Sequence, residues 1–222
     1  MDQGRLARGW DDYLSVLRED AHLLLAWGYA DVRSEIPSAR DEYDITGLLA
    51  DAMEARINDP KTPERFSLYS VHNERPISVG GERGKGRPKL DIEIERCGIR
   101  PRQSYTFEAK RLRDDAKASP SDSVAHYLGD DGVCRFVTGR YAPEALESVM
   151  LGLIQAHTAE FWFARMQQAF EDDSASGDSR FSMVEGFEQC SVIPELPDEA
   201  STVHRRVNGS IFRLLHLLIG CA

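Results

Sequence analysis

The stretch Lys89 to Arg96, KLDIEIER, alternates strictly, with Leu90, Ile92 and Ile94 on one side and Asp91, Glu93 and Glu95 on the other. A period of two commits the segment to a strand with one apolar face. A second such segment, Ser104 to Arg111 (SYTFEAKR), follows the loop CGIRPRQ, so the two are predicted to form a hairpin with a longer turn. Asp91 and Glu108 are equally distant from the loop centre between Ile99 and Arg100. Unslipped antiparallel pairing therefore sets them opposite each other, on one face, with Cβ atoms ~5 Å apart.

Around this hairpin the apolar periodicity predicts further elements. Tyr13, Leu14, Leu17, Ala21, Leu24 and Leu25 have helical spacing over residues 10–27, with Gly28 as the stop. A second helix runs from about Asp41 to Ile57 on the stripe Ile45, Leu48, Leu49, Ala52 and Met53, and Asn58, Asp59 and Pro60 end it. RFSLYSVH, residues 65–72, reads as a strand. After the hairpin come a short helical piece at Val124 to Leu128, a strand over VCRFVTG at 133–139, and a long helix from about Pro143 to Phe170. The tail holds an acidic loop at 171–178, expected to be solvated, a strand at 181–192 and the apolar run IFRLLHLLI at 211–219. Together these predict a single α/β domain over residues 1–222, with a mixed central sheet flanked by helices. Residues 1–40 form a helical decoration, 41–170 the core and 171–222 an extension.

Charge narrows the partner. The net charge of −10 argues against a protein that coats nucleic acid, but Arg83 to Arg113 alone carries ten Lys or Arg against four acids. That segment is +6 and the remainder −16, a local basic site on an acidic body. No signal-like start and no run of ~18 to 20 apolar residues is present, so the expectation is a cytoplasmic protein without membrane contact. Cys97, Cys134, Cys190 and Cys221 are far apart and suggest neither a zinc site nor a disulfide framework.

The chemistry gathers on Asp91 and, seventeen residues later, Glu108-Ala109-Lys110. Residues i and i+2 of a strand share a side, so the Glu108 carboxylate and the Lys110 ammonium emerge together beside Asp91. Two close carboxylates repel unless a cation joins them. A hard divalent ion such as Mg²⁺ suits, with oxygen ligands and retained waters, and one such water, oriented by Lys110, is the expected nucleophile for phosphodiester hydrolysis. Lys110 would also stabilise charge developing on the transition state.

Pro88-Lys89-Leu90-Asp91 and Glu108-Ala109-Lys110 resemble the signature of the PD-(D/E)xK nuclease superfamily, with three rather than one residue from Pro to Asp. The order helix, three strands, helix, strand over residues 41–137 is similar to the αβββαβ restriction-endonuclease-like core of that family, across a little under half of the chain. The resemblance implies a metal-dependent nuclease, acting on DNA rather than RNA by family habit, in restriction, repair or phage defence. It implies Asp91 and Glu108 as ligands of Mg²⁺, with Mn²⁺ as a substitute, and Lys110 as the residue that positions water. It further implies an acid from the helix before the first strand, as a further metal ligand that would complete or tune the site. Glu42 leads because Ile45 and Leu49 share its face; Asp41 is second and Asp44 points away. The alternative is a nuclease fold without catalysis that binds nucleic acid or assembles with a partner. A protein partner or a homodimer would supply targeting, since no separate recognition domain is visible.

Lys85, Arg87, Lys89 and Arg111 are the candidate nucleic-acid contacts. The first two sit in GGERGKGRP, which lacks G-x-x-x-x-G-K-[ST] and reads equally as a basic loop on a phosphate backbone or a solvated turn. Glu93 shares the face of Asp91 and is either a further ligand or a surface acid. His204-Arg205-Arg206 and His216 are candidate phosphate contacts, with a hydrogen-bonded structural role as the plainer reading. Gly139-Arg140-Tyr141 is a candidate wall of the cleft. Trp10, Trp27 and Trp162 sit at helical apolar positions and are expected in the core or in helix contacts.

Overall fold

The alternating and apolar runs assemble into one mixed sheet. A computed structural model describes residues 3–37, 40–76, 87, 89–98 and 102–221, with side chains from residue 13 onward. Its described residues form α1 (Gln3–Val32), α2 (Glu42–Asn58), β1 (Tyr69–Pro76), β2 (Lys89–Arg96), β3 (Gln103–Leu112), α3 (Pro120–Leu128), α4 (Val133–Val137), β4 (Glu147–Ile154), α5 (Ala159–Ala175), β5 (Met183–Cys190), β6 (Glu199–Arg205) and β7 (Ile211–Gly220). The seven strands lie in the order β1-β2-β3-β4-β7-β6-β5. β4 runs parallel to both β3 and β7, and the other pairs are antiparallel.

Each face of the sheet carries its own core. Leu17, Leu24 and Leu25 of α1 and Leu49 and Met53 of α2 pack with Ile92, Ile94, Phe107 and Leu151. On the opposite face Tyr127, Phe136, Trp162 and Phe170 pack with Met150, Phe212 and Leu218. The protein is therefore an α/β protein, a mixed sheet with helices on both sides. No helix among the described residues is long and apolar enough to cross a membrane.

Several sequence expectations shift. α1 continues past Gly28 because that glycine marks a helix crossing: a Cβ there would lie 2.8 Å from Met53 Cγ and 3.1 Å from its backbone nitrogen on α2. Trp27 packs against the core and Trp162 is fully buried, whereas the side chain of Trp10 lies outside the described residues. Residues 64–68 form a 3₁₀ turn, so β1 starts at Tyr69 rather than Arg65.

The expected strand at 133–139 is instead α4, entered through Gly132, where any Cβ would fall onto the carbonyl oxygen of Tyr127. The alternation of its β-branched residues yields to that tight turn after α3. The expected helix at 143–170 splits into β4 and α5. β4 is covered on both faces, so it reads as the continuous apolar run VMLGLI without alternation. His157, at φ 64°, breaks the chain direction, and the Thr158 hydroxyl caps α5 by accepting from Phe161 N at 3.4 Å. The expected order helix, three strands, helix, strand gains a helix, since both α3 and α4 lie between β3 and the next strand, residues 147–154. The acidic segment is not all solvated: 171–175 belongs to α5, and Asp173 is buried, accepting from Ser179 Oγ at 2.7 Å and Arg180 Nε at 3.3 Å.

The C-terminal histidines lie in the core. His204 and His216 are fully buried and joined through Thr202 Oγ1, at 2.7 and 2.8 Å. His204 Nδ1 faces the Phe181 carbonyl at 2.8 Å and must donate to it, so its Nε2 accepts from Thr202. Thr202 then accepts from His216 Nε2, and His216 Nδ1 accepts from Tyr127 OH at 3.2 Å. The Tyr127 phenol also lies 3.2 Å from the Met150 carbonyl, so its one proton is divided between that carbonyl and His216, and burial is what favours the neutral form of both imidazoles. Arg206 is also buried, donating to the carbonyls of Phe136, Ala142, Pro143 and Ala145. Neither His204, His216 nor Arg206 is placed to meet a phosphate.

Candidate functional site

The hairpin register runs from Arg96↔Gln103 to Ile92↔Phe107. Continued by one step it sets Asp91 against Glu108, the pairing that the symmetric loop predicts. At that step, however, the strands part. β2 stays paired with β1 out to Pro76↔Lys89, while β3 goes on along β4 to Leu112↔Ile154. The edge of β3 that β2 vacates leaves two N–H groups to be satisfied, and two carboxylates take them. Asp91 Oδ2 accepts from Ala109 N at 2.7 Å, and Glu42 Oε2, from the first turn of α2, accepts from Arg111 N at 3.2 Å.

Lys110 stands among these acids. Its Nζ donates to Glu108 Oε1 at 2.8 Å, the Ala109 carbonyl at 2.6 Å and Glu42 Oε1 at 3.2 Å, and its side chain is only 5% exposed. Glu108 Oε2 is buried and, among the described residues, has no hydrogen-bond partner. Such an atom is costly to leave unsatisfied, and the open lone pairs of a carboxylate suit a cation or a donor.

Three carboxyls surround one ammonium, and the proton affinities of Glu108 and Asp91 reflect their burial beside it. Burial, reinforced by the charge of Asp91, pushes Glu108 up to about 8, with Lys110 opposing. Burial likewise raises Asp91 to about 6, against the pull of Lys110 and the Ala109 N–H. Burial alone would lower Lys110, but the charges of Glu108, Glu42 and Asp91 outweigh it and hold the ammonium protonated. The cluster at neutral pH is thus short of positive charge, and the most enclosed acid takes a proton.

This has a consequence for stability. The folded value of Glu108 lies above its ordinary 4.5, so its contribution is full below about 4.5 and is lost as pH rises through about 8. Glu108→Gln, neutral at every pH, escapes that loss. Urea unfolding at pH 5 and pH 9 is expected to show the variant gaining up to about 4 kcal/mol on the parent across the interval. Parallel stability curves would contradict a raised Glu108 in the folded protein.

The structure brings Glu42, Asp91, Glu108 and Lys110 together, and separates them from the rival acids. Asp41 is 76% exposed and pairs with Arg111 Nη1 at 2.7 Å, and Asp44 is exposed. Among the described residues no group of three or more His, Cys, Asp or Glu is arranged to hold a metal ion, and Glu42 is engaged by Lys110 and Arg111. Asp91 and Glu108 remain as a two-carboxylate set. Mg²⁺ bound through one or two carboxylates keeps several waters, and the free Glu108 Oε2 supplies an oxygen for it, so these residues fit a hard divalent ion.

Glu93 is not a surface acid: it is buried and meets Arg75 Nη1 at 3.0 Å, while Glu95 pairs with Arg75 and with Arg102 at 2.7 Å. Tyr141 is buried beside the cluster, its phenol pushed up to about 12 by burial first and then by the charge of Glu108. It accepts from Arg135 Nη1 at 2.8 Å.

The basic segment looks different in space. Lys85 and Pro88 lie outside the described residues, and Arg87 is half-buried. Lys89 meets Glu74 at 2.7 Å, Arg102 meets Glu95, Arg111 meets Asp41, and Arg113 faces Asp115 at 3.7 Å. Three of these acids, Glu74, Asp41 and Asp115, lie beyond the segment and offset part of its sequence charge. Known family models, curated proteins and solved structures were compared with the chain, and none matches.

Proposed function

We propose that the chain is a metal-dependent nuclease with a restriction-endonuclease-like core, hydrolysing phosphodiester bonds of nucleic acid, DNA in the first instance. The observation that carries this reading is the buried Glu108 Oε2, without a partner among the described residues, beside Asp91 and Lys110 where β2 and β3 part. Asp91 and Glu108 would hold Mg²⁺ or Mn²⁺ through carboxylate oxygens. When bound, that ion supplies Lewis acidity to water and neutralises phosphate charge.

The protein's own groups do the rest. Glu108 and the Ala109 carbonyl anchor Lys110 at the shorter distances, so its N–H toward Glu42 is the one to exchange for water or a phosphate oxygen. That N–H orients the attacking water and stabilises charge gathering on the phosphate. Glu42, fixed by Arg111 N, keeps Lys110 aimed when substrate is absent. Water adds to phosphorus, the bond to one ester oxygen breaks, and that oxygen leaves as a hydroxyl.

Calorimetric titration with Mn²⁺ tests the ligand set. The parent is expected to bind and Glu108→Ala to lose binding. No heat with the parent, or equal heat with the variant, would overturn it and leave the inactive subunit, which would still bind nucleic acid with steep salt dependence.

A further inference from the structure

Glu42, which accepts from Lys110, also borders a cavity. It has a volume of about 360 Å³ and is lined by Glu42, Arg111, Arg113, Asp122, Ser123 and His126 among others. We propose that this cavity holds a second phosphate of the nucleic acid, the one flanking the scissile phosphate, so that Arg111, Arg113 and His126 set the register of the strand across the site. The inference rests on the nuclease reading and adds to it a substrate subsite.

The cavity is built for an anion in three ways. First, its acids are already engaged. Glu42 is held by Lys110 Nζ and Arg111 N, and Asp122 closes the capping box of α3 by accepting from Ser119 N at 3.0 Å and Ser119 Oγ at 2.7 Å. Second, its arginines have exchangeable partners. Arg111 pairs with an Asp41 that is 76% exposed, and Arg113 faces Asp115, 47% exposed, across 3.7 Å. Ion pairs in water are weak, whereas a guanidinium bonds phosphate with two parallel N–H groups, so the exchange favours phosphate.

Third, the backbone beneath Arg113 is fixed. The buried Ser123 hydroxyl receives Arg113 N at 3.1 Å and donates to the Arg113 carbonyl at 2.9 Å, which ties the end of β3 to α3. Arg111 and Arg113 are two residues apart in the chain, and His126 comes to them from α3 across that tie. Glu42 is a wall of both this cavity and the carboxylate cluster, so a phosphate here lies next to the proposed reaction centre.

Two sources could present this phosphate: an internal phosphate of a continuous strand, or a terminal monophosphate. Fluorescence anisotropy of a short labelled oligonucleotide, in EDTA, tests the site without cleavage. Arg113→Ala is expected to weaken binding about tenfold and to flatten its salt dependence by about one ion, while Mn²⁺ affinity by calorimetry stays at the parental value. His126→Gln, exposed and unable to carry charge, is expected to weaken binding in the same direction and keeps the test open if Arg113→Ala misfolds. A 5′-phosphorylated and a 5′-hydroxyl strand bound equally well point to an internal phosphate; a preference for the phosphorylated end points to a terminal one. Unchanged affinity in both variants overturns the subsite even if the parent cleaves DNA. Loss of affinity in both, with a parent that neither binds Mn²⁺ nor cleaves, upholds the anion site and overturns the nuclease reading.

Discussion

Lys110→Ala is expected to lower the rate of metal-dependent cleavage about a thousandfold, the usual scale for losing a preorganised charge at a developing anion. The same substitution is expected to leave Mn²⁺ binding intact or tighter. Lys110 Nζ lies 2.8 Å from Glu108 Oε1 and is the cation that now offsets the acids. Without it Glu42, Asp91 and Glu108 share no ammonium, and a divalent ion faces less competition. Rate falling while ion affinity holds separates a catalytic role from a structural one, because an unfolded site would lose both. Single-turnover kinetics and calorimetry on one preparation read the two quantities. A variant that cuts as fast as the parent would remove Lys110 from the chemistry.

The buried histidines carry the second large effect. Burial, first among the causes, lowers His204 to about 4 and His216 to about 3 from the ordinary 6.5. Below pH 6.5 the unfolded chain takes up protons that the folded chain refuses, so stability falls with acid. As the pH falls from 6.5 to 4, each of the two groups costs about 3 kcal/mol. Asp91 and Glu108 slope the other way, since their raised values let the folded state take protons first. The parental curve is therefore flattened between about pH 4 and 6, and the histidine contribution shows in a difference. His216→Asn is expected to be less stable than the parent at pH 7, because Thr202 and Tyr127 lose their shared partner. That gap should narrow by about 3 kcal/mol at pH 4, as read by urea unfolding. A gap independent of pH would mean that His216 is not held neutral.

The central hairpin was legible because one face of β2 and β3 is apolar and the loop is symmetric, which fixes the register without knowledge of the rest. β4 was not, for the opposite reason: a strand covered on both faces has no alternation, and VMLGLI merges with the apolar stripe of α5. Thr158, a capping residue in front of an apolar run, was the available sign of that boundary. Gly28 misled because a glycine at a helix crossing and a glycine at a helix stop look alike until the partner, Met53, is known.

The site divides along the same line. Glu42 could be ranked over Asp41 and Asp44 from its helical spacing to Ile45 and Leu49, and it is the acid that meets Lys110. The lysine's hold on both Glu42 and Glu108 was hidden, since it depends on β2 leaving β3 at Asp91. Ser123 and His126 gave no signal, for they reach the cavity beside Arg113 only through the packing of α3 on β3. The local charge of +6 overstated the basic surface because Asp41, Glu74 and Asp115, distant in sequence or outside the counted segment, lie against its cations.

The most direct measurement is a cleavage assay of the purified parent and Asp91→Ala on supercoiled duplex and single-stranded DNA, with Mg²⁺, with Mn²⁺ and with EDTA. Asp91 joins the proposed ion site to the backbone of β3 through Ala109 N, so its carboxylate is expected to be indispensable. The parent should cut in either ion and stop in EDTA, while Asp91→Ala leaves the DNA intact. DNA left whole by the parent under both ions, or cut equally by Asp91→Ala, would contradict the assignment of this cluster to phosphodiester hydrolysis.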